Sequence, residues 1–267
     1  MLGKRILTGI LGISLLVIVI WFDKPLPWFT VFAAVWGMVA VYEFYRMAGT
    51  IKVIPLTTIG IIGTLLIIIS PHCSYAYTLP LLLASVIILS LILLIFQRQK
   101  EGAFQNWAWT IGGVLYVGWL LSFLVLLRLD GGRNWLFFAM FVTFASDTVA
   151  FFIGSTMGKH HLAPVVSPKK TWEGAIGGIF GAVIIALLFT IPSPLQLPLS
   201  VTQAILLGLL VSVFGQFGDL VESVLKRNAG VKESGNLMPG HGGLLDRMDS
   251  VVFAGVVVYC FFLFTYG

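Results

Sequence analysis

Residues 77–96 read YTLPLLLASVIILSLILLIF and include no charged side chain. A helix of about 20 residues is about 30 Å long, which is also the thickness of the hydrocarbon layer of a bilayer. An uninterrupted apolar run of this length predicts a helix that crosses a membrane. The question is then how many other segments of the chain have the same character.

The composition of the whole chain agrees with that stretch. Of its 267 residues 58% are hydrophobic and 10% are charged, and the mean hydropathy is +1.01. Soluble proteins have about a quarter charged residues. Apolar windows predict nine spans, at 5–22, 27–47, 53–70, 77–96, 109–128, 134–154, 174–191, 202–225 and 250–266. We therefore expect an all-α, polytopic integral membrane helix bundle.

The basic residues predict how the chain is oriented. With nine spans, 13 of the 16 Lys and Arg residues fall on one side, which is therefore the cytoplasmic side and holds the N-terminus. The apolar run in residues 1–22 is too long for a signal peptide and no cleavage site follows it, so we interpret it as a retained helix. The net charge of +5 fits anionic lipid and requires no nucleic acid. We expect a multi-pass protein of the inner (cytoplasmic) membrane.

The polar residues divide the chain into two regions. Residues 1–105 contain apolar helices and short turns and are predicted to be a scaffold. Residues 106–267 contain two polar loops on the cytoplasmic side, 155–173 and 226–249, and are predicted to be the catalytic region. We expect any enzymatic function to lie at this cytoplasmic face.

Carboxylates within the predicted membrane helices are the next signal, because an acid inside a span is costly and indicates function. Asp147 and Asp219 each lie seven residues before the cytoplasmic end of a span, which places them roughly 10 Å inside the boundary. Asp246 and Asp249 lie at the start of the last span, and a helix beginning near Leu244 would place both on one face. These four acids are predicted to meet at one depth.

Helical spacing supports a site around Asp219. Gly215, Asp219, Glu222 and Lys226 form one polar stripe, with Ser223 beside it. For Glu43, by contrast, nothing polar near it in the sequence suggests a site, and we interpret it as a contact that holds helices together.

Paired carboxylates beside cations and glycines suit one class of chemistry. Mg²⁺ binds one or two carboxylates, keeps several waters and completes its shell with substrate phosphates, while Lys and Arg neutralise the remaining charge. The loop VVSPKKTWEG, residues 165–174, adds Lys169 and Lys170 after a stiffening proline. Because the chain has neither a P-loop nor a Rossmann motif, we expect phosphoryl or nucleotidyl transfer without a conventional nucleotide-binding domain.

The segment SVLKRNAGVKESGNLMPGHGGLLDRMDS, residues 223–250, closely resembles the signature of phosphatidate cytidylyltransferases, also called CDP-diglyceride synthases. The segment from Ser146 to Gly174 and the GDLVES run are similar to further parts of the family pattern. Two positions depart from it: Glu233 stands where the family usually has aspartate, and Phe151 where many relatives have tyrosine. The resemblance covers most of residues 143–250.

The resemblance implies the reaction of CTP with phosphatidate, by in-line attack of the lipid phosphate on the α-phosphorus, giving CDP-diacylglycerol and pyrophosphate. Magnesium is required, and a second cation and a homodimer are left open. For the metal we predict Asp219, Asp246, Asp249 and Asp147. For catalysis we predict Lys226 and Arg247 beside Asp219 and Asp246, and for substrate binding Lys169, Lys170, Ser223, Arg227, Lys232, His241, Gly242 and Gly243.

The role of His241 in the loop 226–249 stays open, and so do two other functions for the chain. His241 is either a phosphate donor or a brace of the loop, whereas Gly240, Gly242 and Gly243 let the backbone approach phosphate closely. A polyprenol kinase would share the need for CTP, metal and cations. A secondary transporter would place its acids near the midplane, not at one face.

Overall fold

The structure is a computed structural model that describes residues 2–22, 24–96, 101–235, 237 and 242–267. Within these residues there is one helix on each predicted span. The helices are α1 (Leu2–Trp21), α2 (Trp28–Thr50), α3 (Thr57–Ile69), α4 (Thr78–Phe96), α5 (Ala103–Gly131), α6 (Arg133–Met157), α7 (Trp172–Leu188), α8 (Val201–Asn228) and α9 (Asp249–Tyr266). The prediction of a helical, polytopic membrane protein is confirmed.

Six of these helices are long and apolar enough to cross a membrane, namely α2, α4, α5, α6, α8 and α9. The other three, α1, α3 and α7, have shorter apolar segments. Helix α5 contains two short π-helical segments, Val114–Trp119 and Leu127–Gly131. That all nine helices cross the membrane therefore stays a prediction.

The loop between α6 and α7 is not helical. Strand β1 (His161–Ala163) pairs in antiparallel fashion with β2 (Ser167–Thr171), and this hairpin is a small exception to the helical fold that was predicted. Strands this short show too little alternation of polar and apolar residues to be predicted from the sequence. Thr171 ends β2 and caps α7, because its Oγ1 accepts a hydrogen bond of 3.2 Å from Gly174 N.

The chain forms two compact units. The first consists of Met1–Val125 and Asn228–Arg247, and the second of Leu126–Arg227 and Met248–Gly267. In the first unit α2, α3 and α5 pack around Tyr45, whose hydroxyl donates a hydrogen bond of 2.7 Å to Thr110 O. A Cβ at Gly60 or Gly113 would collide with the Tyr45 ring. These helices therefore approach closely through small residues, as helices in membranes often do.

The second unit is held together by close packing between α6 and α7. A Cβ on Gly174 would lie 2.7 Å from Ala150 O and 3.1 Å from Gly154 Cα, so the two backbones nearly touch. Helix α8 joins them through a buried hydrogen bond of 2.7 Å between the Ser146 and Ser212 hydroxyls. This packing fixes the ends of α6, α7 and α8 that are predicted to face the cytoplasm. These ends carry the candidate site residues.

The α6–α7 contact leads to a prediction about stability. Gly174→Ala should lower the thermal unfolding midpoint in detergent, because the obstructing atoms are backbone atoms that cannot rotate away, and overpacking of this kind costs about 1–3 kcal/mol. Gly112→Ala is the matched control, since a Cβ there meets no atom within 4 Å. Equal midpoints for the two variants would contradict the close approach of α6 and α7.

Candidate metal and phosphate site

Three carboxylates of the second unit converge on one point. Asp219 and Glu222 lie on α8, Asp249 is the first residue of α9, and one oxygen from each lies within 4.8 Å of the other two. We call these three residues the acidic cluster. Their oxygens are near enough for a single cation to contact all of them.

Local sequence explains why the three side chains meet. Asp219 and Glu222 are three residues apart, so they lie on the same face of α8, as the polar stripe predicted. Asp249 can reach them because α9 passes very close to α8 at Gly218. A Cβ at Gly218 would collide with Asp249 O and lie 2.9 Å from the Phe253 ring. The glycine next to Asp219 is therefore what permits the cluster.

Two lysines balance part of the negative charge. Lys170 Nζ lies 2.7 Å from Asp219 Oδ2, and Lys226 Nζ lies 2.6 Å from Glu222 Oε2. Glu222 has no exposed surface, and the Lys226 side chain is 13% exposed. A buried carboxylate needs such a partner, because an isolated charge in a medium of low dielectric constant is very costly. Two ammonium groups offset two of the three carboxylates of the cluster, which leaves a net attraction for a cation.

Asp147 on α6 belongs to the same region. It interacts electrostatically with Asp249, Asp219 and Lys170, and its side chain forms a hydrogen bond with Ser250. Asp147 is nevertheless exposed, although protein surrounds it on several sides. It lies near the acidic cluster and is not one of the three converging carboxylates.

The hairpin carries the other predicted cations of this unit. Lys169 on β2 is exposed, whereas its neighbour Lys170 is half-buried against Asp219. At the base of the hairpin His160 Nδ1 lies 2.6 Å from Glu173 Oε1, and the backbone N–H groups of Lys159 and His160 donate to Glu173 Oε2. These hydrogen bonds lower the pKa of Glu173 to about 2, and the one with the His160 side chain has the largest effect. A carboxylate that stays ionised thus holds the hairpin at the start of α7.

The remaining predicted residues of α8 lie near its end. Arg227 is exposed and its Nε donates a hydrogen bond of 3.4 Å to Val166 O in the hairpin turn, while Ser223 is half-buried. The structure therefore brings Lys170, Lys226 and the acidic cluster into direct contact, with Arg227 against the hairpin. Their roles in substrate binding stay predictions.

Asp246 belongs to the first unit, in the segment Asn228–Arg247. Its Oδ2 accepts hydrogen bonds from Ser234 N at 3.0 Å, Ser234 Oγ at 3.0 Å and Gly243 N at 2.8 Å. The helix predicted to start near Leu244 is absent: Leu245–Arg247 form a short 3₁₀ turn, and α9 begins at Asp249. The reason is that the carboxylate of Asp246 binds its own loop, which closes a separate turn before the helix.

The glycines of this loop make room for carboxylates. Gly242 has φ +80°, and a Cβ there would lie 2.7 Å from Asp246 Oδ2. A Cβ at Gly243 would collide with Ser234 Oγ and come within van der Waals overlap of the Glu43 carboxylate. Contact of Gly242 and Gly243 with phosphate stays a prediction. Lys232 and Arg247 are exposed, whereas Gly240 and His241 lie outside the described residues.

Sequence reasoning missed two residues. Glu222 was placed on the polar stripe but not among the metal ligands, although its spacing from Asp219 was a usable signal. Glu43 was interpreted as a contact between helices, whereas it accepts a hydrogen bond of 2.9 Å from Leu245 N. No local signal could have revealed this contact, because the two residues lie about 200 positions apart.

The chemistry of the acidic cluster fits a divalent cation. Mg²⁺ takes oxygen ligands and binds through carboxylates together with substrate phosphates, and all three groups of the cluster are carboxylates. Lys170 and Lys226 at the same point are suited to neutralising phosphate oxygens. The fold and the site together define a polytopic membrane protein with a candidate cation site formed by carboxylates and flanked by lysines.

The chain belongs to the cytidylyltransferase family, whose sequence profile matches residues 3–265. It is therefore a nucleotidyltransferase. Relatives include the phosphatidate cytidylyltransferase of Bacillus subtilis (strain 168), which is 35% identical over 97% of this chain and 96% of its own length. The proteins of the same name from Staphylococcus haemolyticus and Staphylococcus aureus (strain COL) are 38% and 36% identical over 83% and 84% of this chain and 85% of their own lengths.

The acidic cluster leads to a prediction about cation binding. Glu222→Gln should weaken the binding of Mn²⁺, used as a spectroscopic substitute for Mg²⁺, by roughly tenfold or more, because one charged oxygen donor is lost and Lys226 keeps its charge. Electron paramagnetic resonance of the free ion measures the affinity. Asp130→Asn is the control, since Asp130 hydrogen-bonds with Tyr259 and is not part of the acidic cluster. Unchanged affinity in Glu222→Gln would remove Glu222 from the site.

Proposed function

We propose that this chain catalyses the condensation of CTP with phosphatidate, which gives CDP-diacylglycerol and pyrophosphate. The observation that carries the proposal is the acidic cluster with its two lysines, in a chain of the cytidylyltransferase family. Relatives that align over most of this chain are named phosphatidate cytidylyltransferase, which supports the choice of the lipid substrate.

Asp219 and Asp249 are the residues that would hold Mg²⁺, with Glu222 as a third donor and Asp147 beside them. Bound there, the ion would neutralise charge on the triphosphate and on the departing pyrophosphate. Asp246 is retained as a predicted ligand, although in the structure one of its oxygens accepts three hydrogen bonds within its loop.

Lys170 and Lys226 would bind phosphate oxygens. Each ammonium group already lies at the acidic cluster and has three donors, so it can contact a carboxylate and a phosphate together. Lys169 and Arg227 are exposed beside them on the hairpin and at the end of α8, where they would bind the outer phosphates of CTP. We retain the predicted contacts with substrate for six further residues, namely Ser223, Lys232, His241, Gly242, Gly243 and Arg247.

The chemical step requires little acid–base catalysis. The nucleophile is an oxygen of the phosphatidate monoester, which has a second pKa of about 6 and is largely ionised at neutral pH. This oxygen attacks the α-phosphorus of CTP, the bond to the β-phosphate oxygen breaks, and pyrophosphate leaves with that electron pair. The protein contributes alignment of two anionic substrates and neutralisation of their mutual repulsion.

The location of the site follows from the same scheme. We place the chain in the cytoplasmic membrane with nine spans, its N-terminus in the cytoplasm and the acidic cluster at the cytoplasmic face. CTP would then arrive from the cytosol and phosphatidate from within the bilayer. The three carboxylates come from a single chain, so a homodimer is compatible with this scheme but is not needed to complete the cluster.

The activity is tested with purified protein, labelled CTP, phosphatidate and Mg²⁺. Asp219→Asn should reduce formation of labelled CDP-diacylglycerol by at least about a hundredfold, because the variant loses a charged ligand and the partner of Lys170. Its elution profile and unfolding midpoint should stay close to those of the parent.

Asp130→Asn is a matched control, since Asp130 hydrogen-bonds with Tyr259 and is not part of the acidic cluster. Near-normal turnover in Asp219→Asn would remove Asp219 from the metal role. Transfer of phosphate to a polyprenol without CDP-diacylglycerol, or CTP-independent transport, would overturn the proposed function itself.

A further inference from the structure

Helix α2 contacts the segment Asn228–Arg247 at three regularly spaced points of the first unit. Trp36 Nε1 donates a hydrogen bond of 3.2 Å to Leu244 O. Glu43 accepts a hydrogen bond from Leu245 N, and Thr50 Oγ1 donates one to Ala229 O. The three side chains are seven residues apart, close to two helical turns, so they lie on one face of α2. One face of this helix therefore contacts the segment Asn228–Arg247 near both of its ends.

Glu43 occupies the centre of that face. It is 4% exposed, and its Oε2 lies 2.9 Å from Leu245 N and 3.4 Å from Ser234 Oγ. A Cβ on Gly235 or on Gly243 would collide with the Glu43 carboxylate. Two glycines of the loop thus leave the space into which this side chain fits.

Ser234 lies between Glu43 and Asp246, and its one hydroxyl proton is donated to the nearer carboxylate, that of Asp246. Ser234 donates from both its backbone N–H and its hydroxyl to Asp246 Oδ2, each at 3.0 Å. Ser234 is itself buried. Glu43 and Asp246 are therefore separated by a single side chain, and both are hydrogen-bonded to backbone N–H groups of the same turn, at Leu245 and Gly243.

Burial of the Glu43 carboxylate is costly, so its presence on this helix face needs an explanation. A carboxylate within a membrane helix is expensive, and hydrogen bonds from N–H groups to a charged acceptor offset part of that cost. An apolar residue at position 43 would fill the helix face more cheaply. An apolar side chain could not, however, accept the hydrogen bond from Leu245 N. This bond fixes the path of the loop at Leu245, just before Asp246, Arg247 and Asp249.

We propose that Glu43 is a positioning residue for the transferase reaction, acting through Leu245 and Ser234 to hold the loop that carries Asp246 and leads into Asp249. This inference rests on the proposed function. It assigns a part in the reaction to a residue of the region that was predicted to be only a scaffold. Glu43 acts as a hydrogen-bond acceptor and does not touch substrate.

The test compares Glu43→Gln with Glu43→Leu in the CDP-diacylglycerol assay, with rates expressed per folded protein. Glutamine keeps a carbonyl acceptor in place and should stay within about threefold of the parent kcat. Leucine removes the acceptor and should lower kcat by about a hundredfold, the scale of a displacement of about 1 Å at a reacting centre. The Mg²⁺ concentration needed for half-maximal rate should rise in Glu43→Leu only.

Ser234→Ala carries the test if Glu43→Leu does not fold. It removes the hydroxyl between the two carboxylates but keeps the backbone N–H bond to Asp246, so we expect a loss of about tenfold in kcat with a near-normal unfolding midpoint. Combining it with Glu43→Gln should cost no more than Ser234→Ala alone, because both act through one contact. Arg46→Gln is the control on α2, since Arg46 lies on its exposed side.

Three results would overturn the inference: parental kcat in Glu43→Leu, equal losses in the Gln and Leu variants, or parental kcat in Ser234→Ala. The first of these results, found together with a lower unfolding midpoint and an unchanged Mg²⁺ dependence, would show that Glu43 is a structural residue only. Failure of the unmodified protein to form CDP-diacylglycerol would instead refute the proposed function. The two failures are therefore distinguishable.

Discussion

Three carboxylates whose oxygens lie within 4.8 Å of one another repel strongly unless cations accompany them, and the second unit is organised around this constraint. Lys226, one turn along the same helix, pairs with Glu222, and Lys170 reaches Asp219 from the hairpin. The hairpin holds that position through Glu173, His160 and the cap of α7. A cation bound at the cluster would relieve the same repulsion, so the structural requirement and the proposed catalytic one coincide.

Close helix packing is the second requirement of the site. Gly218 permits the backbone of α9 to approach α8 at Asp249, and Gly174 permits α7, which follows the hairpin, to approach α6. In a bilayer the hydrophobic effect does not drive helices together, so small residues and polar contacts must do so. The buried Ser146–Ser212 hydrogen bond is one such contact. Glycines therefore serve the site by bringing backbones together as much as by bending loops.

The sequence predicted those features that depend on local pattern. Apolar runs located the nine helices α1 to α9 of the described residues, and spacing placed Asp219, Glu222 and Lys226 on one face of α8. The same spacing was a usable signal for Glu222 as a third donor, whereas the close approach of α9 to α8 at Gly218 cannot be predicted from a local pattern. The contacts of Glu43 were equally hidden, since they join α2 to a loop about 190–200 residues away. The hairpin was missed because its strands are only three and five residues long.

The central claim is that the acidic cluster binds the catalytic divalent cation. Anomalous diffraction from crystals grown with Mn²⁺ and a non-hydrolysable CTP analogue tests it most directly, because the ion is located without assumptions about activity. We expect a peak within coordination distance of Asp219 and Asp249, about 2.0–2.3 Å, with triphosphate oxygens in the same shell. A Mn²⁺ peak held by other residues, with the cluster still paired only to Lys170 and Lys226, would contradict the claim.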